Sequence, residues 1–181
     1  MNKRYLSDID IREAVTNISF QMFREKWHPD YIVGITRGGL IPAVMMSHLI
    51  GVKMYTLDVR LRDGGDDETE SNLWMAEDAF GYKNFQMGIG YEGKNILIVD
   101  DINDTGATFN WIKQDWESSC LPNEDHAWNS VWSGDIANVR FATLTENLSS
   151  TFDGVRYSVH EVNKAEEDVW LVYPWENVSE Y

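Results

Sequence analysis

The chain has one cysteine, Cys120, in 181 residues, so it cannot close an internal disulfide, a pattern that fits a cytoplasmic location. It has no run of about eighteen apolar residues, so no membrane-spanning helix is expected. Behind the basic start Lys3-Arg4 there is no apolar stretch, and a secretory signal is not expected either. Basic residues are few: Lys and Arg number 15 against 30 Asp and Glu, giving a formal net charge of -15. No basic cluster breaks that field, which repels a nucleic-acid backbone. The same field opposes any polyanionic small molecule. A site for one must therefore rely on local backbone N–H groups, one or two arginines and a divalent cation. The histidines His28, His48, His126 and His160 are too scattered for zinc-ligand spacing. Tandem repeats and Pro/Ser-rich linkers are absent.

Hydrophobic residues make up 43% of the chain and aromatics 13%, which suits a single domain over 1–181 with a sizeable core. Ser7 with Asp10 reads as a variant capping box opening a helix, with Ile11, Ala14, Val15, Ile18, Met22 and Phe23 on its apolar face. Trp27-His28-Pro29-Asp30 breaks it. A strand is expected at 31–35, a helix from Leu40 to about Ile50 closed by Gly51, and a strand from Val52 to Leu57. Further strands are expected at 96–99, 139–144 and 157–162, with a helix at about 106–118. Strands alternating with helices predict an α/β fold with a mainly parallel central sheet flanked by helices. Two stretches do not fit that rhythm. Residues 60–95, with the acidic run Asp63 to Glu70, read as a flexible loop or lid. Residues 119–135 read as an insertion whose Trp128 and Trp132, at helical spacing, point to packing rather than function.

The most informative run is Ile96 to Thr108. Four branched apolar residues form a short strand, Asp100 and Asp101 follow, and Asp104-Thr105-Gly106-Ala107-Thr108 forms a loop opening a helix that carries Phe109, Ile112 and Trp116. A strand, a Gly/Thr loop and a helix N-terminus make an anion site, because unpaired N–H groups and the helix dipole favour a phosphate there. The acids beside it suit sugar hydroxyls or a hard cation. A helix–loop–helix calcium loop also starts this way at Asp101, but its twelfth place falls on Ile112, which has no carboxylate, and a strand precedes it. An ordinary acidic strand-to-helix turn is the remaining alternative.

The order strand, Asp-Asp, two residues, Asp-Thr-Gly-x-Thr resembles the phosphoribosyl pyrophosphate (PRPP) signature of type I phosphoribosyltransferases. Tyr31 to Pro42, with Arg37-Gly38-Gly39, is similar to that family's first strand and pyrophosphate loop. Asp168 to Glu176 is similar to the base-binding hood of bacterial xanthine–guanine phosphoribosyltransferases, which suggests a small C-terminal hood at about 163–178. The resemblance implies transfer of the 5-phosphoribosyl group from PRPP to a purine-like base, with magnesium as cofactor, in a homodimer or homotetramer. It implies that Arg37, Gly38 and Gly39 hold pyrophosphate, that Asp100 and Asp101 hold ribose hydroxyls or the metal, and that Thr105, Gly106, Ala107 and Thr108 cradle the 5′-phosphate. Asp104 would exchange a proton with N7 of the base, with a helix N-cap as its plainer role. Trp170 would stack on the base, the main chain at Leu171 would read its edge, and Glu176 would face its 2-position.

One departure matters. The purine enzymes of this family carry a lysine after the strand matching 139–144, to contact a 6-oxo group, whereas this chain reads Thr145-Glu146-Asn147 there. An acceptor such as Glu146 would prefer a donor on the base. A base other than a 6-oxopurine, a pyrimidine, and a non-catalytic sensor of PRPP or a nucleotide therefore stand as alternatives.

Overall fold

The structure, a computed structural model, describes residues 2–59, 61, 72–81, 93–120 and 131–176. The elements follow in the order β1 (Asn2–Tyr5), α1 (Asp8–Arg24), β2 (Tyr31–Thr36), α2 (Leu40–Ile50), β3 (Lys53–Asp58), α3 (Leu73–Phe80), β4 (Ile96–Asn103), α4 (Ala107–Ser119), β5 (Val139–Asn147), β6 (Val155–Tyr157), β7 (His160–Val162) and β8 (Val169–Val172). The main sheet runs β3-β2-β4-β5-β6, with β7 also on β5, and every pair in it is parallel. β1 and β8 form a separate parallel pair. No described helix is long and apolar enough to cross a membrane.

The alternation of apolar residues along β2 and β4 explains the layers, because successive side chains point to opposite faces. Ile32, Leu97 and Val99 pack with Ile11, Val15 and Ile18 of α1 and Ala43 and Met46 of α2. Val33, Ile35, Ile96 and Ile98 face the other way, onto Met75, Ala79 and Phe80 of α3 and Phe109, Ile112 and Trp116 of α4. The Ser7–Asp10 capping box closes reciprocally, Asp10 N–H donating to Ser7 Oγ at 3.2 Å and Ser7 N–H to Asp10 Oδ2 at 2.7 Å. Such a cap stabilises its helix by about 1 kcal/mol.

Several expectations need correction. β4 and β5 run on to Asn103 and Asn147, so Asp100 and Asp101 lie within β4 rather than beyond it. The strand expected at 157–162 is two, β6 and β7, separated by Ser158 and Val159 and both lining β5. Phe23 is 77% exposed, not on the buried face of α1. The 60–95 stretch contains α3, whose Asp78 accepts a hydrogen bond from Tyr31 Oη and pairs with Lys94 Nζ at 3.0 Å, so that part is core. The acidic run Asp63 to Glu70 lies outside the described residues, as does Trp128. Trp132 packs as expected, against Phe80, Trp116 and Phe141 at centroid distances of 6.2, 5.9 and 5.9 Å.

Candidate active site

Strand order fixes where the loops meet. From β2 the chain steps outward to β3, and from β4 it steps the opposite way to β5, so the direction reverses between β2 and β4. Ligands of open parallel sheets bind at such a reversal, beyond the carboxyl ends of the strands. The loop Arg37-Gly38-Gly39 leaves β2 at that point, and Asp104-Thr105-Gly106 leaves β4 beside it.

The two loops touch. A side-chain carbon on Gly38 would collide with the Asp101 carboxylate, and one on Gly39 with the Val99 carbonyl, so glycine lets the loop lie against the acids. Arg37 is exposed, and the Thr36–Arg37 peptide is cis. Asp100 Oδ1 accepts a hydrogen bond from Asp101 N–H at 2.9 Å. Burial pushes the Asp101 carboxyl up to about 6, and the nearby Glu176 carboxylate adds to that rise. Gly106 takes φ 86°, and a side chain there would meet Ser150 Oγ and Thr151 Oγ1 at 2.8 Å. Thr151 Oγ1 donates to the Thr105 carbonyl at 2.7 Å, so the turn after β5 braces the loop that leaves β4. Ala107 N–H reaches Thr105 Oγ1 at 3.3 Å, and Thr108 lies in the first turn of α4.

Asp104 is not the helix N-cap. Gly106 holds that place without a side-chain cap, and the Asp104 carboxylate is paired with Lys164 Nζ at 2.9 Å. Sequence reasoning missed this lysine. It stands in the turn after β7 beside Glu166 and Glu167, where a charge reads as solvated surface, and only the pairing of β7 with β5 brings it to Asp104. Asn147 completes the group: its Nδ2 donates to the Asp104 carbonyl at 2.9 Å, and its Oδ1 accepts from Lys164 N–H at 3.0 Å. Glu146, the acceptor suggested by sequence, takes the Ser158 hydroxyl at 3.3 Å instead.

The hood residues fall on and after β8. Trp170 is 39% exposed between buried Val169 and Leu171. Asn2 N–H donates to the Asp168 carbonyl and Leu6 N–H to the Val172 carbonyl. In a parallel ladder bonding alternates, so the main chain at Leu171 is directed away from β1. Glu176 Oε2 closes the turn on Tyr173 N–H at 3.2 Å.

Asp100 and Asp101 offer hard oxygen donors and few of them, the arrangement magnesium takes when substrate oxygens and water complete its shell, so the pair fits that ion. Among the described residues no group of three or more His, Cys, Asp or Glu forms a ready-made cage.

Residues 3–114 match the phosphoribosyl transferase domain. The chain belongs to that family. A xanthine-guanine phosphoribosyltransferase of Desulfotalea psychrophila is 22% identical over 151 residues, covering 83% of this chain and 72% of the relative. One from Cereibacter sphaeroides is 24% identical over 151 residues, covering 83% and 71%. The crystal structure of a purine phosphoribosyltransferase from Pyrococcus horikoshii superposes with a TM-score of 0.66 at 24% identity, over 100% of this chain and 99% of that one. The fold is therefore that of the type I phosphoribosyltransferases, as the signature at 96–108 implied.

Proposed function

We propose that this phosphoribosyltransferase moves the 5-phosphoribosyl group from PRPP to a purine-like base, releasing pyrophosphate and a nucleoside monophosphate. The observation that carries this reading is the meeting of the Arg37-Gly38-Gly39 loop with Asp100 and Asp101, next to the loop from Asp104 to Thr108. Arg37 with the N–H groups of Gly38 and Gly39 would hold pyrophosphate, since a guanidinium fork matches phosphate oxygens and glycine permits close backbone approach. Thr105 to Thr108 would take the 5′-phosphate at the helix N-terminus. Asp100 and Asp101 would accept the ribose hydroxyls or hold magnesium, whose role when bound is to neutralise charge on the departing pyrophosphate.

As the bond from the sugar carbon to pyrophosphate breaks, its electron pair leaves with pyrophosphate, and a ring nitrogen of the base bonds to that carbon. Asp104 would take the proton lost from N7, and Trp170 would stack on the ring while the Leu171 main chain and Glu176 read its edge. Lys164 places an ammonium donor beside Asp104, which suits a base with a carbonyl next to N7. A 6-oxopurine such as guanine, xanthine or hypoxanthine is then the preferred acceptor, and the lysine missing after β5 no longer argues for another base. Purine salvage in the cytoplasm is the matching role.

The same reading includes self-association. Helix α2 carries no Asp, Glu, Lys or Arg, yet Ile41, Val44 and Leu49 are exposed on it, a face a second copy would cover. Pyrophosphate release from PRPP and magnesium, assayed over a panel of purines and pyrimidines, tests the function. Turnover with 6-oxopurines supports it. Tight PRPP binding with no turnover on any base would instead favour the sensor.

A further inference from the structure

We propose that two side chains pin the ends of the hood to the acids of the site: Tyr173, a positioning residue, at Asp101, and Lys164, in addition to its donor role toward the base, at Asp104. The inference deepens the reading above and rests on it. The hood's own sheet is only β1 and β8, four residues each, and a two-stranded ribbon is marginal by itself. Val169, Leu171 and Tyr173 bury it in the core with α1 and the sheet, but such contact is non-directional, and directional groups must still set its register.

Two polar contacts do so. The Tyr173 hydroxyl is buried and lies 3.1 Å from the Asp101 carbonyl and 3.1 Å from Thr145 Oγ1. The carbonyl can only accept, so Tyr173 donates to it and receives the hydrogen of Thr145, which satisfies both hydroxyls in one chain. The ring is stacked on Trp175 at 5.0 Å and 11°, which fixes the direction of the hydroxyl. At the other end, Lys164 is held twice, by its N–H to Asn147 Oδ1 and by its ammonium to Asp104. Trp170 and Leu171 lie between the pins. A base seated there is thus registered against Asp101 and Asp104 by the chain that carries its stacking platform.

The test uses the full-length protein with Tyr173→Phe, Lys164→Met and Lys164→Arg. Amide hydrogen exchange at residues 169–173, without substrate, is expected to speed up about ten-fold in Tyr173→Phe and Lys164→Met, the loss of one net hydrogen bond. In steady-state kinetics with guanine the KM for the base should rise by about the same factor in Tyr173→Phe, whose side chain contacts Asp101 and Thr145 rather than the base. The Kd for PRPP with magnesium should change less, and Lys164→Arg should recover most of the exchange protection lost in Lys164→Met. Unchanged exchange in both pin variants with an unchanged base KM in Tyr173→Phe would overturn the proposal, as would an equal or larger loss of PRPP affinity. A wild-type protein that binds no PRPP would defeat the functional reading, while the exchange rates would still decide whether the pins hold the hood.

Discussion

At the start of β5, Arg140 is 5% exposed and its charge is fully answered. It donates to Glu25 Oε2 at 2.6 Å, to the Asp135 carbonyl at 2.9 Å and to the Ala137 carbonyl at 3.0 Å, and its guanidinium lies 4.7 Å from the Trp27 ring centroid. Arg156 adds a second cation to Glu25 at 2.9 Å. Toward the other edge of the sheet, at Asp101 on β4, burial pushes the carboxyl up to about 6 against the hydrogen bonds from Asp100 and Ile102, and the Glu176 carboxylate adds to the rise. At the first end a buried cation meets opposite charge, whereas at the second a buried carboxylate lies near another. Paired buried charge serves the fold, whereas a carboxylate whose burial disfavours its charge marks a candidate place for a cation or a donor.

Variants at the two ends should therefore separate stability from binding. The largest effect is expected for Asp104→Ala, which should lower kcat by about 10²–10⁴-fold through loss of proton transfer. PRPP affinity should stay near wild type by calorimetry, and an equal loss of both would contradict the assigned role. At the opposite end, Arg140→Met strips Glu25 of its buried partner and should cost about 2–4 kcal/mol in denaturant unfolding. Its PRPP affinity, measured on the folded protein, should not move. Next comes Asp101→Asn, expected to weaken magnesium-dependent PRPP binding by about 10–100-fold, the range for losing a charged hydrogen-bond partner. Because burial already disfavours its charge, the melting temperature at neutral pH should not fall.

The smallest effect concerns pH. Burial raises the Glu25 carboxyl, but hydrogen bonds from Arg156 and Tyr157, with the charges of Arg156 and Arg140, outweigh it and leave the group below its usual value. A depressed carboxyl binds its proton later in the folded than in the unfolded state. Its stabilisation is therefore present above about pH 4.3, the unfolded value for Glu, and is lost as the pH falls through the lower folded value. Glu25→Gln should flatten the acid limb of a stability-versus-pH curve and leave the neutral region lower. A wild-type slope in the variant would remove Glu25 from the account.

The sequence carried the parts of this arrangement that are local. Arg37, Gly38 and Gly39 sit in one turn, and Asp100 to Thr108 in another, so contiguous residue types were enough to read them. The switch between β2 and β4 then brought the two turns together without further information. Lys164, Asn147 and Tyr173 were not legible because their partners are remote in the chain: Tyr173 meets Asp101 across 72 positions and Asn147 meets Asp104 across 43. No spacing rule encodes such contacts; they follow from the pairing of β7 with β5 and from the packing of Val169, Leu171 and Tyr173 into the core against the sheet. Helix α3 escaped for a local reason, being eight residues long with no side-chain cap at Asn72. Phe23 looked like core because it follows Met22, yet the next residue on a helix lies about 100° further round, here past the edge of the buried stripe.

Calorimetric titration of PRPP into the wild-type protein, with and without magnesium, decides whether the two loops and the acids between them form one metal-dependent site. A saturable single-site heat that requires the metal and is strongly reduced in Asp101→Asn is expected. Absence of any heat with magnesium present, or an isotherm indifferent to Asp101, would contradict a single metal-dependent site.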